Sequence, residues 1–196
     1  MKLSLKTCDK PDQTLLSQLI FSIPGNILKF NVAVYSHGFL IPQSSYMKTL
    51  FDRSTNDEII ERLQTLTPQA TNRWGKMNVS QMLGHLDLSF QVNFGIIKLN
   101  RDLLLSTVFK PVAKRILLGG KPFPKNMPTD KKLLPKVPLD FFEEQKKVAA
   151  MIERYATDGP RIICRNPHNI LGKISPEQSA FISYKHVDHH LRQFGA

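Results

Sequence analysis

From Ser175 onward the sequence admits one element, an amphipathic helix. Ser175-Pro176-Glu177-Gln178 supplies a capping hydroxyl, a proline at the first helical position and a glutamine that closes the capping box. Behind it Ala180, Tyr184, Val187, Leu191 and Phe194 form one apolar stripe. That stripe must be covered by other helices. Ser183, His186, His190 and Gln193 make a parallel polar line beside it. A polar line next to a core stripe predicts a site lined from within a helical bundle. Three of the chain's six histidines fall on this helix. His186 and His190 are one turn apart, so their rings can converge on one point; His189 and Gln193 flank them.

The chain between residue 47 and this helix also reads as helices. Ser54-Thr55-Asn56-Asp57 offers several capping residues before an acidic first turn. Ile59, Ile60, Leu63 and Leu66 give the helical repeat and Pro68 stops it. Trp74-Gly75-Lys76-Met77 is a connecting turn, and Asn78-Val79-Ser80-Gln81 is a second capping box. The helix it opens carries Val79, Met82, Leu83, Leu86 and Phe90 on one stripe, with His85 at its edge. Residues 102–118 are a third helical stretch, kinked or split at Pro111 and ended by Gly119-Gly120. Residues 121–139 hold five prolines and form a long connection of the kind that often serves a site. Residues 139–156 are a fourth helix, and residues 157–174 an irregular link.

Residues 1–46 read differently. Pro11, Pro24-Gly25, His37-Gly38 and Pro42 punctuate them and no helical period is sustained. Residues 30–35 alternate enough for a short strand pairing with residues 38–41, with no evident further partner. Leu15–Ile23 is a weak apolar region broken by Ser17, Gln18 and Ser22, without a cleavage site, and is rejected as an export signal. The expected domain is therefore residues 47–196. The preceding segment is expected to be a poorly ordered extension or a start-site artefact.

With 41% hydrophobic and 22% charged residues, the composition is that of a soluble domain. No apolar run is long enough to span a bilayer. Cys8 and Cys164 suggest neither a disulfide framework nor a Cys-rich metal knuckle, and a reducing cytoplasm is the expected location. Cys164 is read as a small buried hydrophobe. The net charge of +11 favours anionic contacts without choosing among them. Lys110, Lys114, Arg115, Lys121, Lys125, Lys131, Lys132 and Lys136 concentrate across the third helix and its loop, and are read as a solvated face. No nucleic-acid reading motif and no aromatic–basic interleaving accompany them.

His85 and the pair His186/His190 each lie at the inner edge of an amphipathic helix. If those helices are adjacent, three imidazoles meet. Neutral imidazole suits Zn, Ni, Fe and Cu, and three protein ligands leave a coordination position for water or substrate. The competing reading makes His85 a hydrogen-bonded core histidine and the HxxHH run a set of cations at a helix C-terminus. No HExxH is present, and no carboxylate lies one turn from these histidines as a general base.

Trp74-Gly75-Lys76-Met77, Gln81-Met82-Leu83-Gly84-His85 and Lys185-His186-x-x-His189-His190-x-x-Gln193-Phe194 together resemble the DinB/YfiT-like metalloenzyme superfamily. They are most similar to a branch catalogued as a domain of unknown function. The resemblance covers residues 47–196, including Lys121-Pro122-Phe123-Pro124-Lys125-Asn126-Met127-Pro128, and leaves out residues 1–46. It implies an all-α fold, a DinB-like antiparallel four-helix bundle with long Pro-rich connections. It places a divalent metal (Zn, Ni, Fe or Mn) on His85, His186 and His190, with His189 and Gln193 in support. The superfamily's Arg-Gly-Gln becomes Leu191-Arg192-Gln193 here, so Gln193 matches and Arg192 is displaced by one position.

The function so implied is a metal-dependent enzyme acting on a small molecule, among its readings a thiol-dependent S-transferase or isomerase using a low-molecular-weight thiol. A non-catalytic metal-binding or interaction module, and a metal-dependent hydrolase, are the alternatives. No catalytic residue is assigned, no specific nucleic-acid partner is expected, and a homodimer is one open arrangement. Trp74 is read as a packing anchor and His168, in Asn166-Pro167-His168-Asn169, as exposed.

Overall fold

Capping side chains set where the helices of this chain begin. The computed structural model describes residues 15–23, 26–34, 40–42, 47–100, 107–163 and 167–196. The chain divides into two compact units, Met1–Tyr46 and Met47–Ala196.

In the first unit, strands β1 (Leu15–Ile23) and β2 (Asn26–Val34) pair antiparallel, from Leu15 opposite Val34 to Ile23 opposite Asn26. Strand β3 (Leu40–Pro42) adds to the far side of β2, giving the order β1-β2-β3. The expected pairing of residues 30–35 with 38–41 is present in the part that is described. The segment set aside as a weak apolar region is β2's missing partner, and β2 itself starts at Asn26. Pro24-Gly25 stands between two equal runs, the two-residue spacing of a hairpin. The serines of β1 obscured its strand character.

The described residues of the second unit are helical: α1 (Arg53–Gln64), α2 (Val79–Asn93), α3 (Lys110–Leu118), α4 (Phe141–Asp158) and α5 (Pro176–Phe194). Short 3-10 turns occur at Lys131–Leu133 and Gly159–Ile162. Both expected capping boxes form. Asn78 Oδ1 accepts from the Gln81 amide at 2.8 Å, and Ser175 Oγ from the Gln178 amide at 3.2 Å. Each glutamine reaches back to the capping residue's own N–H at 3.0 Å. Asp140 caps α4 by accepting from the Glu143 amide.

Helix α1 differs from expectation. It starts at Arg53, after Asp52, so Thr55 and Asn56 are buried in its first turns rather than capping it. The Asn56 amide Nδ2 donates to the Leu50 carbonyl at 2.9 Å and the Ile152 carbonyl at 2.7 Å, fastening α1 to α4. Among the described residues the third stretch is split, as expected: Thr107 is helical, Val108 and Phe109 are not, and α3 resumes at Lys110 with Pro111 in its first turn, where its missing N–H costs no intrahelical bond. Residues 101–106 of the expected third stretch, and Cys8 and Cys164, lie outside the described residues.

Helices α1, α2, α4 and α5 share one core. Ile59 and Leu63, then Met82, Leu83 and Leu86, then Val148 and Ile152, then Val187 and Leu191 are almost wholly excluded from solvent. A polar link crosses it. The Tyr155 hydroxyl lies 2.9 Å from Ser183 Oγ, and Asn93 Nδ2 donates to that same oxygen at 2.9 Å. Burial pushes the Tyr155 phenol up to about 12, so it remains a neutral hydrogen-bonding group. Helix α3 buries none of its residues and is held at its C-terminal end. There Lys185 Nζ donates to the carbonyls of Ile116 (2.7 Å) and Gly119 (2.6 Å), favourable charge at the negative end of a helix.

Candidate metal centre

The edge of the core between α2 and α5 is where the predicted ligands meet. His85 extends from the stripe edge of α2, and His186 and His190 from successive turns of α5. His186 Nε2 lies 3.0 Å from His85 Nε2 and 3.1 Å from His190 Nε2. One nitrogen of each ring falls within 4.8 Å of the others. Ligands bound at about 2.0–2.1 Å with adjacent angles of about 90–110° would stand roughly 2.9–3.4 Å apart, so the two spacings to His186 fit one shared ion, and the remaining pair would have only to close up within its 4.8 Å limit.

The hydrogen bonds behind the rings fix which nitrogens carry protons. The carbonyl of Leu133 faces His85 Nδ1 at 2.9 Å and can only accept, so Nδ1 carries the proton and Nε2 presents its lone pair. Gln193 does the same for His190. Its Nε2 donates to the Trp74 carbonyl at 2.6 Å, which turns Oε1 toward His190 Nδ1 at 2.7 Å. Two bare Nε2 atoms therefore point at His186. Two acceptors converging on a third ring nitrogen are complementary to a cation.

Burial disfavours protonation of all three rings. It holds His85 below its usual range, brings His190 down to about 3, and takes His186 well below normal, the last reinforced by His190 and His85. Neutral imidazole is the form that binds metal. His85 and His190 are buried and His186 is partly exposed as a residue, while its ring lies deep enough for burial to be the main cause of its lowered pKa. The Phe123 ring stands 6.4 Å from His186 and 6.2 Å from His189.

The supporting residues divide. Gln193 bridges the Trp74 turn to His190, and Arg73 N–H donates to the Gln193 carbonyl at 2.8 Å. Gly75 makes this approach possible. Its φ is +85°, and a Cβ there would stand 2.6 Å from Gln193 Nε2. His189 lies instead edge-on to Trp74, with ring centroids 5.4 Å apart, and its ring does not join the three-nitrogen cluster. Trp74 is thus a wall of this region as well as an anchor, with Lys125 Nζ 4.6 Å from its ring centre. Arg192 is turned away: it and Arg62 both pair with Asp188, at 3.0 and 2.9 Å. Leu133 and the Trp74 carbonyl went unforeseen, because backbone acceptors leave no residue signature. Replacing Gln193 with leucine is expected to weaken divalent-metal affinity about tenfold, read by competition with a chelating dye, because His190 loses its orienting acceptor.

His168 lies away from the cluster and is half-buried, not exposed as expected. Its backbone exchanges hydrogen bonds with Gly172, and its Nδ1 accepts from the Ile170 and Leu171 amides at 3.2 Å. Burial brings it down to about 4, against the ordinary 6.5. The unfolded chain therefore binds the proton first. The stabilisation is complete above about pH 6.5 and is lost progressively as pH falls from there through about 4, on the order of 3 kcal/mol in all. His168→Asn keeps an acceptor in this place. It is expected to flatten the acid limb of stability in urea titrations, relative to wild type.

Residues 48–196 match the family model described as "Protein of unknown function (DUF1569)". The chain belongs to that family. No curated protein and no solved structure matches the chain. In this DUF1569 chain the matched segment contains all three histidines, the Trp74 turn and the Leu133 segment, so the entire cluster lies within the family domain.

Proposed function

We propose that this DUF1569 chain is a metal-dependent enzyme on a DinB-like antiparallel four-helix bundle, with His85, His186 and His190 binding one divalent ion (Zn, Ni, Fe or Mn). The reaction proposed is transfer or isomerisation of a small molecule, using a low-molecular-weight thiol. One observation carries the reading: three Nε2 atoms converge, two of them held as bare acceptors by Leu133 and Gln193. A divalent ion bound there would hold a thiol as thiolate or acidify a water. Three protein ligands leave a position open for water or a thiol. Phe123, Trp74 and His189 would form the walls against which a substrate lies, with Lys125 at the rim supplying positive charge for an anionic group. The motif resemblance supports the thiol chemistry; the geometry supports the metal.

Elemental analysis of wild type, His85→Ala and His190→Ala is the direct test. About one equivalent of metal is expected in the wild type and little in either variant. Equal metal content in all three proteins would remove the premise. Thiol-transfer assays across a panel of thiols then separate enzyme from module: metal retained without turnover of any thiol favours the non-catalytic module.

A further inference from the structure

Helix α3 and the turn leading into it carry a surface that the metal centre does not use. Val108, Phe109 and Val112 are 63%, 49% and 58% exposed, high values for apolar side chains this close together. Val108 and Phe109 lie in the turn that leads into α3 and Val112 in its first turn, so the three apolar side chains cluster at the N-terminal end of this short helix. Lys110, Lys114 and Arg115 surround them, also exposed. From Thr107 to Lys136 the chain holds eight basic residues and one acidic one, a net +7 within the protein's +11. Lys185 grips the opposite, C-terminal end of α3, leaving this apolar end outward.

We infer that this face docks on an anionic lipid surface. Phe109, Val112 and Val108 enter the boundary between headgroups and acyl chains, while Lys110, Lys114 and Arg115 meet lipid phosphates. An apolar tip ringed by cations is the pattern of a peripheral membrane contact, and its binding scales with both terms. A second copy of the chain fits poorly, because a two-fold contact would bring two copies of the same basic ring together. Nucleic acid would use the charges but gain nothing from the three apolar side chains. No helix among the described residues is long and apolar enough to cross a membrane, so the contact is peripheral.

Co-sedimentation of the full chain with phosphatidylcholine vesicles, with and without phosphatidylglycerol, tests this. Binding is expected only to the anionic vesicles and should fall with added salt. Lys110→Gln and Lys114→Gln should each weaken it about fivefold. Phe109→Ser with Val112→Ser leaves the charge unchanged and should also release the protein. These residues lie outside the core, so circular dichroism and metal content should match wild type. Equal binding to both vesicle types, or wild-type binding by the serine variant, overturns the inference. Retention on immobilised polyglutamate without vesicle binding also overturns it, and assigns the face to an acidic protein.

Discussion

Alanine at His186 is expected to abolish high-affinity divalent-metal binding while leaving the fold intact. His186 Nε2 is the common neighbour in the cluster, 3.0 Å from one partner and 3.1 Å from the other. Without it, two imidazoles on different helices remain. The loss should exceed the roughly 10–100-fold that follows removal of an orienting group behind a ligand. His186 lies at the edge of the core between α2 and α5 and outside its apolar cluster, so the apo form of the variant should remain folded. The two effects separate in thermal denaturation with and without Zn²⁺. At a hundredfold excess over its Kd the ion should stabilise wild type by about 2.7 kcal/mol, and His186→Ala by almost nothing. His189→Ala should retain most of the wild-type response, because its ring lies against Trp74. A metal-dependent rise in Tm that survives in His186→Ala but disappears in His189→Ala would mean the ligand set is wrong.

Much of this site was legible because its ligands obey helical periodicity. Ser175 and Gln178 define where α5 begins, and the turn count from there places His186 and His190 on the inner edge. Asn78 and Gln81 do the same for His85 on α2. Such caps are local hydrogen bonds, so short motifs report them faithfully. The start of α1 was misread because asparagine serves equally well as a cap and as a buried bridge. Only the tertiary partners, the Leu50 and Ile152 carbonyls, make Asn56 the latter. The exposure of His168 was misjudged for a related reason: its Nδ1 is consumed by two backbone amides of its own turn, which no spacing rule reveals. The hairpin of residues 15–34 was not legible: the polar residues in β1 interrupt its alternation, so only residues 30–35 read as a strand. The polar line of α5 also proved to contain two kinds of residue. Ser183 completes a core hydrogen-bond link with Tyr155, whereas His186, His190 and Gln193 belong to the cluster.

The second large effect is expected at Gly84, the residue before the first ligand. No backbone strain requires glycine inside α2; the reason is what packs over it. A Cβ at Gly84 would run into the Leu139 side chain and come within 2.9 Å of Pro135 Cγ, part of a rigid ring. The segment carrying Leu139 and Pro135 also carries Leu133, whose carbonyl holds the His85 ring. Gly84→Leu should therefore act twice. Forcing a side chain into this contact should cost about 3 kcal/mol, an overpacking penalty that exceeds the gain of less than about 1 kcal/mol in helix propensity. Lifting the segment away from α2 should also withdraw the Leu133 carbonyl, freeing His85 to rotate and weakening metal binding about tenfold. Helix α2 itself should persist, since its capping box and buried stripe are untouched. The readouts are the urea midpoint of the metal-free protein and metal affinity measured where the variant remains folded. A variant with the expected loss of stability but unchanged metal affinity would show that Leu133 does not govern the His85 ring. A variant unchanged in both would show that the segment yields without cost. The glycine in Gln81-Met82-Leu83-Gly84-His85 thus acts by absence, leaving room for the backbone acceptor that aims the next side chain.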